Sequence, residues 1–332
     1  MIRQPTVALF GSGSWGTALA MQMARNGIRV NFWGHDPQHV ENLRRDGENR
    51  AFLPGIKFDD NICPVICLRD CLDQADTVLI AIPSQAFRGF LQKLRPLLSV
   101  GISVFWASKG FEIETGKLFH EVISEVLPGH NYGVISGPTF AVEVARGLPA
   151  AITCAGNDPA DTASFAKLLH GGRLRCYTSE DVIGVELGGA LKNIIAIAVG
   201  IADGLCFGAN TRAALMTRGL AEVMRLGRQL GARQETLMGL AGLGDLILTC
   251  TDDQSRNRRF GLAIGAGKTV MQAEAAIGQT VEGLRATRAV FRLSQAWGLE
   301  LPIMEQVYRV LYDGLEPVDA VQNLESRPQR RE

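Results

Sequence analysis

Lys192 is a charged residue at the head of an apolar run, in the stretch ELGGALKNIIAIAVGIAD (186–203). Burying an ammonium group costs free energy unless the group is paired or takes part in chemistry. On a helix, Gly188 and Gly189 share the face of Lys192, and such small residues would leave room for a ligand to reach the ammonium. Desolvation would lower the pKa of that ammonium, which suits a general acid or base. The alternative is a structural salt bridge, for which Asp245 is a candidate.

A second set of polar side chains lies in the stretch AGLGDLILTCTDDQSRNRRFG (241–261). Asp245 follows a glycine pair and precedes an apolar run, where a carboxylate needs a partner. Ser255 can cap a following helix, and Arg256 and Asn257 would add donors beside the positive end of that helix. Such a group suits a phosphate monoester. The alternative is a solvated basic face formed by the arginines of this segment.

The glycine-rich segment GSGSWG (11–16) follows an apolar run and precedes an amphipathic stretch. It fits the pattern G-x-G-x-x-G, in which Gly11 makes a tight turn, Gly13 lets a pyrophosphate approach the backbone and Gly16 allows close helix–strand packing. The helix that follows would offer free N–H groups to the phosphates. Glycine-rich turns are common, so the pattern alone is weak evidence. It indicates a dinucleotide site here because a predicted strand precedes it and a predicted helix follows it. We therefore predict a dinucleotide site.

The end of the second predicted strand, NFWGHDP (31–37), bears on which dinucleotide would bind. An acidic residue usually stands at this strand tip to bind the ribose 2′-hydroxyl, but here Gly34 and His35 occupy it. With His35 or Arg44 nearby, the site could accept a 2′-phosphate, so the segment is compatible with NADPH. Asp36 lies just beyond, so the segment is also compatible with NADH. His35 could also be a surface residue of the turn with no role in binding.

Two further segments place polar residues directly after predicted strands. ASKGFE puts Lys109 after one strand, where doubly wound sheets bind ligands. SGPTFA joins another strand to a helix: Gly137 and Pro138 make the turn, and Thr139 can cap the helix, whose free N–H groups would suit an anion. The alternative for the second segment is an ordinary β–α loop.

Six short apolar runs in the first half of the chain predict the strands that would position these residues. They recur between helix-length stretches, and this alternation favours a mostly parallel sheet covered by helices on both faces. The runs are TVALF (6–10), IRVNFW (28–33), TVLIAIP (77–83), ISVFWAS (102–108), YGVIS (132–136) and AAITCA (150–155). A ligand of such a domain lies beyond the carboxyl ends of the strands.

After about residue 180 the hydrophobic pattern changes to helical periodicity. Gly204, Gly231 and Gly298 stand where such helices would end. We therefore predict an α/β Rossmann-like dinucleotide-binding domain over 1–182, followed by an all-helical substrate-binding and catalytic domain over 183–332.

The overall charge argues against whole classes of partner. Among 332 residues, Lys and Arg together number 34 and so do Asp and Glu, so no global basic field exists to hold nucleic acid or an acidic membrane. The longest uncharged apolar run has about ten residues, short of the ~20 that span a bilayer. The N-terminus does not have the layout of a signal peptide. These observations predict a cytoplasmic protein without stable membrane insertion.

Seven cysteines are scattered along the chain and predict reduced thiols rather than a disulfide framework or a metal site. Cys63, Cys67 and Cys71 recur every four residues, but Pro64 interrupts any helix there and no histidine lies close by in sequence. We therefore expect no metal.

With these residues in view, the chain resembles the bacterial NAD(P)-dependent glycerol-3-phosphate dehydrogenases over nearly its whole length. The resemblance is most specific in the second half, where GVELGGALKNIIAIAVGIADGL, AGLGDLILTCT, SRNRRFG and TVEGLRA occur in this order. In the first half it is carried by GSGSWGTALA, ASKGFE and SGPTFAVEVARGLP. Two small departures, Thr139 where serine is also common and Ser108 where threonine is usual, keep the hydroxyl group.

The resemblance implies an enzyme that exchanges hydride between NADP(H) or NAD(H) and C2 of dihydroxyacetone phosphate, with the nicotinamide between the two domains. The product, sn-glycerol 3-phosphate, would serve glycerophospholipid synthesis, and the enzyme would be a homodimer. Lys192 would be the general acid/base, and Asp245 would orient it or the substrate hydroxyl. The implied substrate-binding residues are Lys109, Gly137, Thr139, Lys192, Asp245, Ser255, Arg256 and Asn257. The implied cofactor-binding residues are Gly11, Gly13, Ser14, Trp15, Gly16, His35, Lys109, Ala141, Arg256, Thr280 and Glu282.

Two other functions fit parts of the pattern. A dehydrogenase of the β-hydroxyacid type, such as 6-phosphogluconate dehydrogenase, also joins a dinucleotide domain to a helical domain with a lysine. A catalytically inactive NAD(P) sensor would need only the first domain, so Lys192, Asp245 and the Ser255–Asn257 cluster argue against it.

Overall fold

The computed structural model describes residues 3–329, and the chain divides into two compact units. Unit 1 contains the residues up to Lys109 together with Phe119–Glu186. Unit 2 contains Gly110–Leu118 together with the residues from Leu187 onward. The chain therefore passes between the units three times.

Unit 1 alternates strands and helices along the chain. Its strands are β1 (Thr6–Phe10), β2 (Arg29–Trp33), β3 (Glu48–Asn49), β4 (Leu53–Lys57), β5 (Ile62–Val65), β6 (Thr77–Ile80), β7 (Ser103–Trp106), β8 (Tyr132–Ser136), β9 (Ala150–Gly156) and β10 (Leu174–Ser179). Its helices are α1 (Ser14–Arg25), α2 (Pro37–Asp46), α3 (Leu68–Leu72), α4 (Phe87–Leu94), α5 (Phe119–Val126), α6 (Ala141–Ala145) and α7 (Pro159–Leu169). Short 3₁₀ turns lie at Ser84–Ala86 and Arg95–Leu97.

Eight of these strands form one sheet in the order β10-β9-β8-β7-β6-β1-β2-β5, and β3 and β4 form a separate antiparallel hairpin. Neighbouring strands of the sheet are parallel, except that β8 and β9 are antiparallel. Val7 of β1 pairs with Val30 on one side and with Thr77 on the other. The carboxyl end of β1 is therefore the point where the connections diverge, which is where doubly wound sheets bind ligands.

Burial explains why the central strands have continuous apolar sequences. All five residues of β1 and all four of β6 are buried, as expected for parallel strands covered on both faces. In the core of the unit, Phe105 of β7 stacks on Phe165 of α7 with ring centroids 3.9 Å apart.

Unit 2 is built from helices in the residues that the structure describes. These are α8 (Val182–Gly204, which begins in unit 1), α9 (Ala209–Leu230), α10 (Gln234–Leu237), α11 (Asp245–Thr251), α12 (Arg256–Gly265), α13 (Val270–Ile277), α14 (Glu282–Trp297), α15 (Pro302–Tyr312) and α16 (Pro317–Glu325), with a π-helical turn at Leu240–Gly244. Gly204 is the last residue of α8, and Gly231 and Gly298 follow α9 and α14 in left-handed conformation. These glycines end helices as predicted.

The predicted fold class is confirmed: a mostly parallel sheet with helices is followed by a helical unit. All six predicted strands are present, although several are shorter than expected; TVLIAIP, for example, ends as a strand at Ile80. The prediction missed β5, β10 and the hairpin β3–β4.

Helix α8 is the one helix within residues 3–329 that is long and apolar enough to cross a membrane by length and composition. In its most apolar window, 83% of the residues are buried inside the protein. A buried core helix passes the same test, so this finding is only a weak indication of a membrane span.

Helices α8 and α12 pack backbone to backbone because both carry glycines where they meet. A Cβ added to Gly200 or Gly204 of α8 would lie 2.1 Å from the Arg258 carbonyl oxygen or 2.4 Å from that of Leu262. In the other direction, a Cβ at Gly261 of α12 would lie 2.2 Å from the Ile197 carbonyl oxygen. The helix that carries Lys192 is therefore fixed closely against the helix that begins after Ser255.

A buried ion pair reinforces this packing. Asp203, near the end of α8, accepts hydrogen bonds from Arg258 at 2.6 Å and from Arg212 at 2.9 Å. Arg258 also pairs with Asp253, whose side chain is 84% exposed, whereas the Asp203 side chain is buried.

Replacing Asp203 with alanine should lower the free energy of unfolding by about 3–5 kcal/mol, because it leaves the buried Arg258 without its buried partner. Asp253→Ala removes the exposed partner of the same arginine and should cost less than about 1 kcal/mol. Urea unfolding followed by circular dichroism measures both variants. Equal losses in the two would show that the buried pair has no special role.

Two other buried carboxylates hold helix ends. Glu186 accepts hydrogen bonds from the backbone N–H and the ring Nδ1 of His120 in α5, at 3.2 and 2.5 Å. Glu222 accepts from the N–H groups of Ile303 and Met304 at the start of α15, at 2.7 and 3.1 Å. Burial raises the pKa of both carboxyls, that of Glu222 to about 7. These contacts account for both residues structurally.

Candidate active site

The site residues predicted in unit 1 lie at one edge of its sheet, namely the edge formed by the carboxyl ends of the strands. The glycine-rich segment follows β1, His35 follows β2, Lys109 follows β7, and Gly137 and Thr139 follow β8, with Ala141 at the start of α6. These four strands run parallel to one another through the sheet. Their carboxyl ends therefore share one edge, the ligand-binding edge of a doubly wound sheet.

The glycine-rich segment has the geometry of a phosphate-binding turn. Gly11 has φ +118°, and a Cβ there would lie 2.3 Å from the Ala81 carbonyl oxygen. A Cβ at Gly16 would lie 1.9 Å from the Gly11 carbonyl oxygen, whereas one at Gly13 would meet no atom within 4 Å. Gly13 precedes α1 and has no side chain to cap its N–H groups. This open helix N-terminus suits the pyrophosphate of a dinucleotide.

Two buried polar atoms near this edge also indicate a polar ligand. Trp15 Nε1, beside the glycine-rich turn, and Ser136 Oγ, at the end of β8, have no hydrogen-bond partner within residues 3–329. Buried polar atoms are nearly always satisfied in native proteins, so orphaned ones need an explanation such as a missing ligand or water. The residues present therefore fit a bound dinucleotide.

The tip of β2 is open to solvent. His35 is exposed, as the dinucleotide and surface-turn interpretations both allow. Asp36 accepts a hydrogen bond from the Gln38 N–H at 3.0 Å and caps α2, so its carboxylate already has a structural task. Arg44 is bonded to Glu41 and to the Pro64 carbonyl, both at 2.8 Å.

Thr139 does not cap a helix, so that prediction is wrong. Helix α6 begins only at Ala141 after the N-cap residue Phe140, which places Thr139 too early in the chain. The Thr139 hydroxyl donates instead to the Gly137 carbonyl at 3.2 Å. The loop before α6 is therefore closed by a local turn.

In unit 2, Lys192 and Asp245 form the ion pair that the sequence offered as the structural alternative. Lys192 Nζ donates to Asp245 Oδ1 and, at 2.8 Å, to Thr249 Oγ1. The Thr249 hydroxyl donates in turn to the Asp245 carbonyl oxygen at 2.6 Å. Asp245 is 1% exposed. The aspartate and the threonine thus hold the ammonium in one place, which a proton donor requires as well.

Thr249 is a residue of this cluster that the sequence did not lead us to predict. It stands one helical turn after Asp245 on α11, so the i, i+4 spacing that places both side chains on one face could have identified it.

Gly188 does not leave room for a ligand beside Lys192, so that prediction is wrong. A Cβ there would lie 2.2 Å from the Ala241 carbonyl oxygen, so the space beside this glycine is filled by the π-helical turn rather than left open for a ligand. The close approach brings the turn that leads into Asp245 against α8. The glycine therefore assembles the Lys192–Asp245 pair instead of clearing access to it.

A second network joins Lys192's neighbour to α12 and α14. Asn257 Nδ2 donates to Asn193 Oδ1 at 2.8 Å, and the Gly283 N–H donates to Asn257 Oδ1 at 2.9 Å. Ser255 caps α12 as predicted, accepting from the Arg258 N–H at 3.2 Å. Asn193 was not identified in the sequence. The predicted residue Asn257 thus contacts Asn193, the residue that follows Lys192 on α8.

The remaining predicted residues of unit 2 lie around the same helix end. Arg256 is exposed, and its Nη1 is 3.3 Å from Gln279 Oε1, directly before Thr280. Glu282 begins α14 and lies close enough to Arg256 for their charges to interact. Arg258 is buried and ion-paired, so it does not belong to a solvated basic face, whereas Arg259 is exposed.

An ammonium group such as that of Lys192 can donate a proton, and the N-terminus of a helix such as α12 can bind an anion. Cys250 lies near Lys192, but burial raises the pKa of its thiol to about 12, so it stays protonated and is no nucleophile. Within residues 3–329 no group of three or more His, Cys, Asp or Glu side chains is placed to hold a metal ion.

The two units define a class of protein. Unit 1 is a Rossmann-type dinucleotide-binding fold with an open phosphate-binding turn. Unit 2 is helical and holds a lysine–aspartate pair, with the aspartate buried, and a capped helix that begins with Arg256 and Asn257. This is the class of two-unit nicotinamide-dinucleotide dehydrogenases.

The chain belongs to the NAD-dependent glycerol-3-phosphate dehydrogenase family. The models of the N-terminus and of the C-terminus of this family match residues 6–162 and 181–322. Glycerol-3-phosphate dehydrogenase (NAD(P)+) of Shewanella halifaxensis is 52% identical over 98% of this chain and 97% of the relative. The protein of the same name from Thioalkalivibrio sulfidiphilus is 52% identical over 99% of both chains.

A solved structure gives the same result. The crystal structure of glycerol-3-phosphate dehydrogenase from Coxiella burnetii is 45% identical, with a TM-score of 0.95 over 98% of this chain and 99% of that one. The family resemblance is therefore confirmed, and the β-hydroxyacid-type alternative is not the family of this chain.

Proposed function

We propose that this chain catalyses reversible hydride transfer between NAD(P)H and C2 of dihydroxyacetone phosphate, giving sn-glycerol 3-phosphate. The observation that carries the proposal is the Lys192–Asp245–Thr249 cluster, next to which Asn193 of α8 is hydrogen-bonded to Asn257 at the capped N-terminus of α12. The Lys192 cluster can donate a proton to a ketone oxygen, and the helix N-terminus can bind a phosphate. The relatives that bear this activity in their names match nearly the full chain.

Lys192 donates the proton in this reaction. When bound, the nicotinamide supplies the hydride, and negative charge then develops on the C2 oxygen. A cation that can also give up a proton stabilises that charge. Asp245 holds the ammonium in position, and in the reverse direction the neutral amine accepts the proton. The residue types and their contacts support these roles.

The substrate phosphate binds at the start of α12. Ser255, Arg256 and Asn257 supply charge-assisted donors there, beside the positive end of the helix. Lys109, Gly137 and Thr139 complete the substrate pocket. Binding energy from the phosphate, which does not react, orients the reacting carbon.

The cofactor binds at the glycine-rich turn of unit 1. Gly11, Gly13 and Gly16 shape the turn, and α1 presents its first N–H groups to the pyrophosphate. The other cofactor residues are Ser14, Trp15, His35, Lys109, Ala141, Arg256, Thr280 and Glu282. Because the carboxylate of Asp36 caps α2, the tip of β2 can accept NADPH as well as NADH.

Membership of the family supports a proposal on the wider setting of the activity. We place the functional boundary at residues 182 and 183, between the dinucleotide-binding and the substrate-binding domains. The enzyme acts in the cytoplasm as a homodimer, without membrane insertion or nucleic acid, and supplies the glycerol phosphate backbone of phospholipids.

An absorbance assay tests the activity against its alternatives. Purified protein is mixed with dihydroxyacetone phosphate and NADPH or NADH, and the loss of the reduced nicotinamide is followed. The proposal predicts oxidation of at least one cofactor, and no reaction with a β-hydroxyacid and NADP+. Folded protein that binds the cofactor but oxidises none of it would be an NAD(P) sensor instead.

Replacing Gly13 with alanine should weaken dinucleotide binding without unfolding the protein. Gly13 has φ −77° and ψ −178°, which any residue adopts, and its Cβ would enter the open space left for the pyrophosphate. The steric penalty of about 1–3 kcal/mol corresponds to a Kd for NADPH raised by about 5- to 150-fold. Isothermal titration calorimetry measures the change.

Gly16→Ala is the matched comparison for Gly13→Ala. Its Cβ would overlap the Gly11 carbonyl, so this variant should lose thermal stability instead. An unchanged Kd in a folded Gly13→Ala protein would place the pyrophosphate elsewhere.

A further inference from the structure

A groove between four helices of unit 2 has no part in the proposed reaction. It lies between α8, α9, α15 and α16 and has a volume of about 650 Å³. Sites for small molecules have this size, and they are mostly apolar with a few placed polar groups. The described residues that line the groove all belong to unit 2.

The apolar wall of the groove is accessible only to a thin ligand. Helices α8 and α15 contribute six aliphatic side chains, each at most 8% exposed: Ala198, Ile201, Ala202, Ile303, Val307 and Val310. A stable protein partner buries about 1,200 Å² or more of accessible surface in total, which requires apolar side chains that stand out from the surface. An unbranched hydrocarbon chain, in contrast, can enter between the helices.

Charge is segregated along the groove. The first two turns of α9 contribute uncharged lining residues and the later turns contribute charged ones. The uncharged residues are Thr211, Ala214 and Leu215, and the charged residues are Arg218, Glu222 and Arg225. In α16 the lining is likewise apolar up to Leu324 and charged from Glu325 onward. The charged ends meet, because Arg225 donates to the Glu300 carbonyl and Arg327 pairs with the Glu300 carboxylate at 3.2 Å. The groove therefore has one apolar and one charged end.

Two side chains of the groove carry donors without a partner among residues 3–329. Arg218 is exposed, and its guanidinium makes no hydrogen bond or ion pair there. Gln306 is about nine-tenths buried, and its Oε1 accepts from Asn323 at 3.0 Å while its Nε2 has no partner. Buried polar atoms are nearly always satisfied, so this nitrogen indicates a ligand or water in the groove. An arginine beside it suits a carboxylate, which accepts paired hydrogen bonds.

Three carboxyl groups also line the charged end and set its charge balance. Glu300 is ion-paired with Arg327, and Glu325 is exposed. Burial raises the pKa of Glu222 to about 7, so at pH 6 most of this carboxyl is uncharged. Below pH 7 the three arginines of this end therefore outnumber its charged carboxylates.

We propose that this groove binds one unbranched fatty acid, with the hydrocarbon chain between the four helices and the carboxylate at the charged end beside Arg218 and Gln306. A ligand that is apolar at one end and anionic at the other matches the segregation of the lining. A sugar or a free phosphate would leave the apolar end unfilled.

Calorimetric titration of the full chain at pH 6 with octanoate, decanoate and decanol tests the ligand class. Each buried CH₂ should lower Kd about fourfold, so decanoate should bind about 15-fold more tightly than octanoate. Arg218→Ala should raise the Kd for decanoate by up to about fivefold, the effect of one exposed ion pair, and leave decanol unchanged. Arg228→Ala is the control, because Arg228 is exposed on α9 outside the groove. Equal Kd values for decanoate in the two arginine variants would contradict the role of Arg218.

A pair of ring substitutions on α9 locates the bound chain. Ala213 and Ala214 are both exposed, so a ring at either position should leave the protein folded, but only Ala214 lines the groove. Ala214→Phe should raise the Kd for decanoate by about 5- to 150-fold through overpacking, and Ala213→Phe should bind as wild type does. The same affinity in both ring variants would mean that decanoate adsorbs elsewhere, which would overturn the proposal.

A second copy of this chain is the other occupant that could cover the groove. Light scattering should give the same mass for wild type, Ala213→Phe and Ala214→Phe, with and without decanoate. A dimer that dissociates in Ala214→Phe but not in Ala213→Phe would make the groove a subunit interface and overturn the proposal.

Discussion

Replacing Lys192 with alanine is expected to lower kcat by about 10²- to 10⁴-fold, the usual contribution of a general acid. The ammonium of Lys192 is held in place by Asp245 and Thr249, as a proton donor must be. Binding of NADPH should persist, because the glycine-rich turn belongs to the other unit. Steady-state rates with dihydroxyacetone phosphate, together with calorimetric cofactor titration, measure both effects.

The controls for this variant separate chemistry from folding. Alanine at position 192 removes the ammonium that pairs with the buried Asp245, and breaking a buried ion pair is itself destabilising by about 3–5 kcal/mol. Lys192→Gln still donates a hydrogen bond to Asp245 but cannot deliver a proton, so it should fold better and remain as inactive. Lys268→Ala removes an exposed lysine of the same unit and should leave kcat unchanged. Turnover retained in Lys192→Gln would mean that the lysine is structural.

Replacing Arg256 with alanine is expected to raise the KM for dihydroxyacetone phosphate by about 10- to 150-fold. This is the effect of losing a charged hydrogen bond worth about 1.5–3 kcal/mol. Arg256 is exposed at the start of α12, and its guanidinium contacts Gln279 rather than a buried carboxylate. Its removal should therefore cost little stability.

Arg259→Ala provides the comparison on the same helix. Arg259 is exposed as well, three residues further along α12, and is expected to leave KM unchanged. Inorganic phosphate should compete with substrate in wild type and much less in Arg256→Ala. A KM that is the same in both arginine variants would contradict the phosphate role of Arg256.

The sequence predicted the central strands of the fold better than its edges. β1 and β6 are buried throughout and therefore have continuous apolar sequences. β5 and β10 lie at the two edges of the sheet and are half-exposed, so each is mixed in polarity. Pro64 within β5 also suggests a break, yet an edge strand tolerates proline because one of its sides needs no partner.

The reversal of β9 relative to β8 could not be predicted from apolar runs. Periodicity identifies strands but says nothing about their direction, which depends on the connection between them. The short α6, five residues long, is all the helix that lies between these two strands. The connection between β8 and β9, residues 137–149, is long enough for a parallel crossover as well, so its length does not decide the direction of β9.

Candidate site residues could be predicted from the sequence when their type and spacing indicate a chemical role. The glycine-rich turn, Lys192, Asp245 and Ser255 are recognisable by their spacing, and in the structure they form a tight turn, an ion pair and a helix cap. Neutral residues that act through contacts were missed, among them Asn193, whose partner Asn257 lies 64 residues away in the chain. Such long-range contacts leave no local pattern.

Gly188 shows the opposite error. A glycine beside a lysine suggested open space, but the space is occupied by the backbone of Ala241. Glycine permits close approach by any neighbour, and sequence does not tell whether that neighbour is a ligand or another segment of the chain. The same ambiguity applies to the glycines that join α8 to α12.

The most direct test of Lys192-dependent reduction is product formation by wild type and Lys192→Gln, followed side by side by phosphorus NMR. Each protein is incubated with dihydroxyacetone phosphate and NADPH. Wild type should form one sn-glycerol 3-phosphate for each NADPH oxidised, while Lys192→Gln should bind NADPH with unchanged Kd and form almost no product. Folded wild-type protein that yields no glycerol phosphate, or a glutamine variant that yields as much as wild type, would contradict the account.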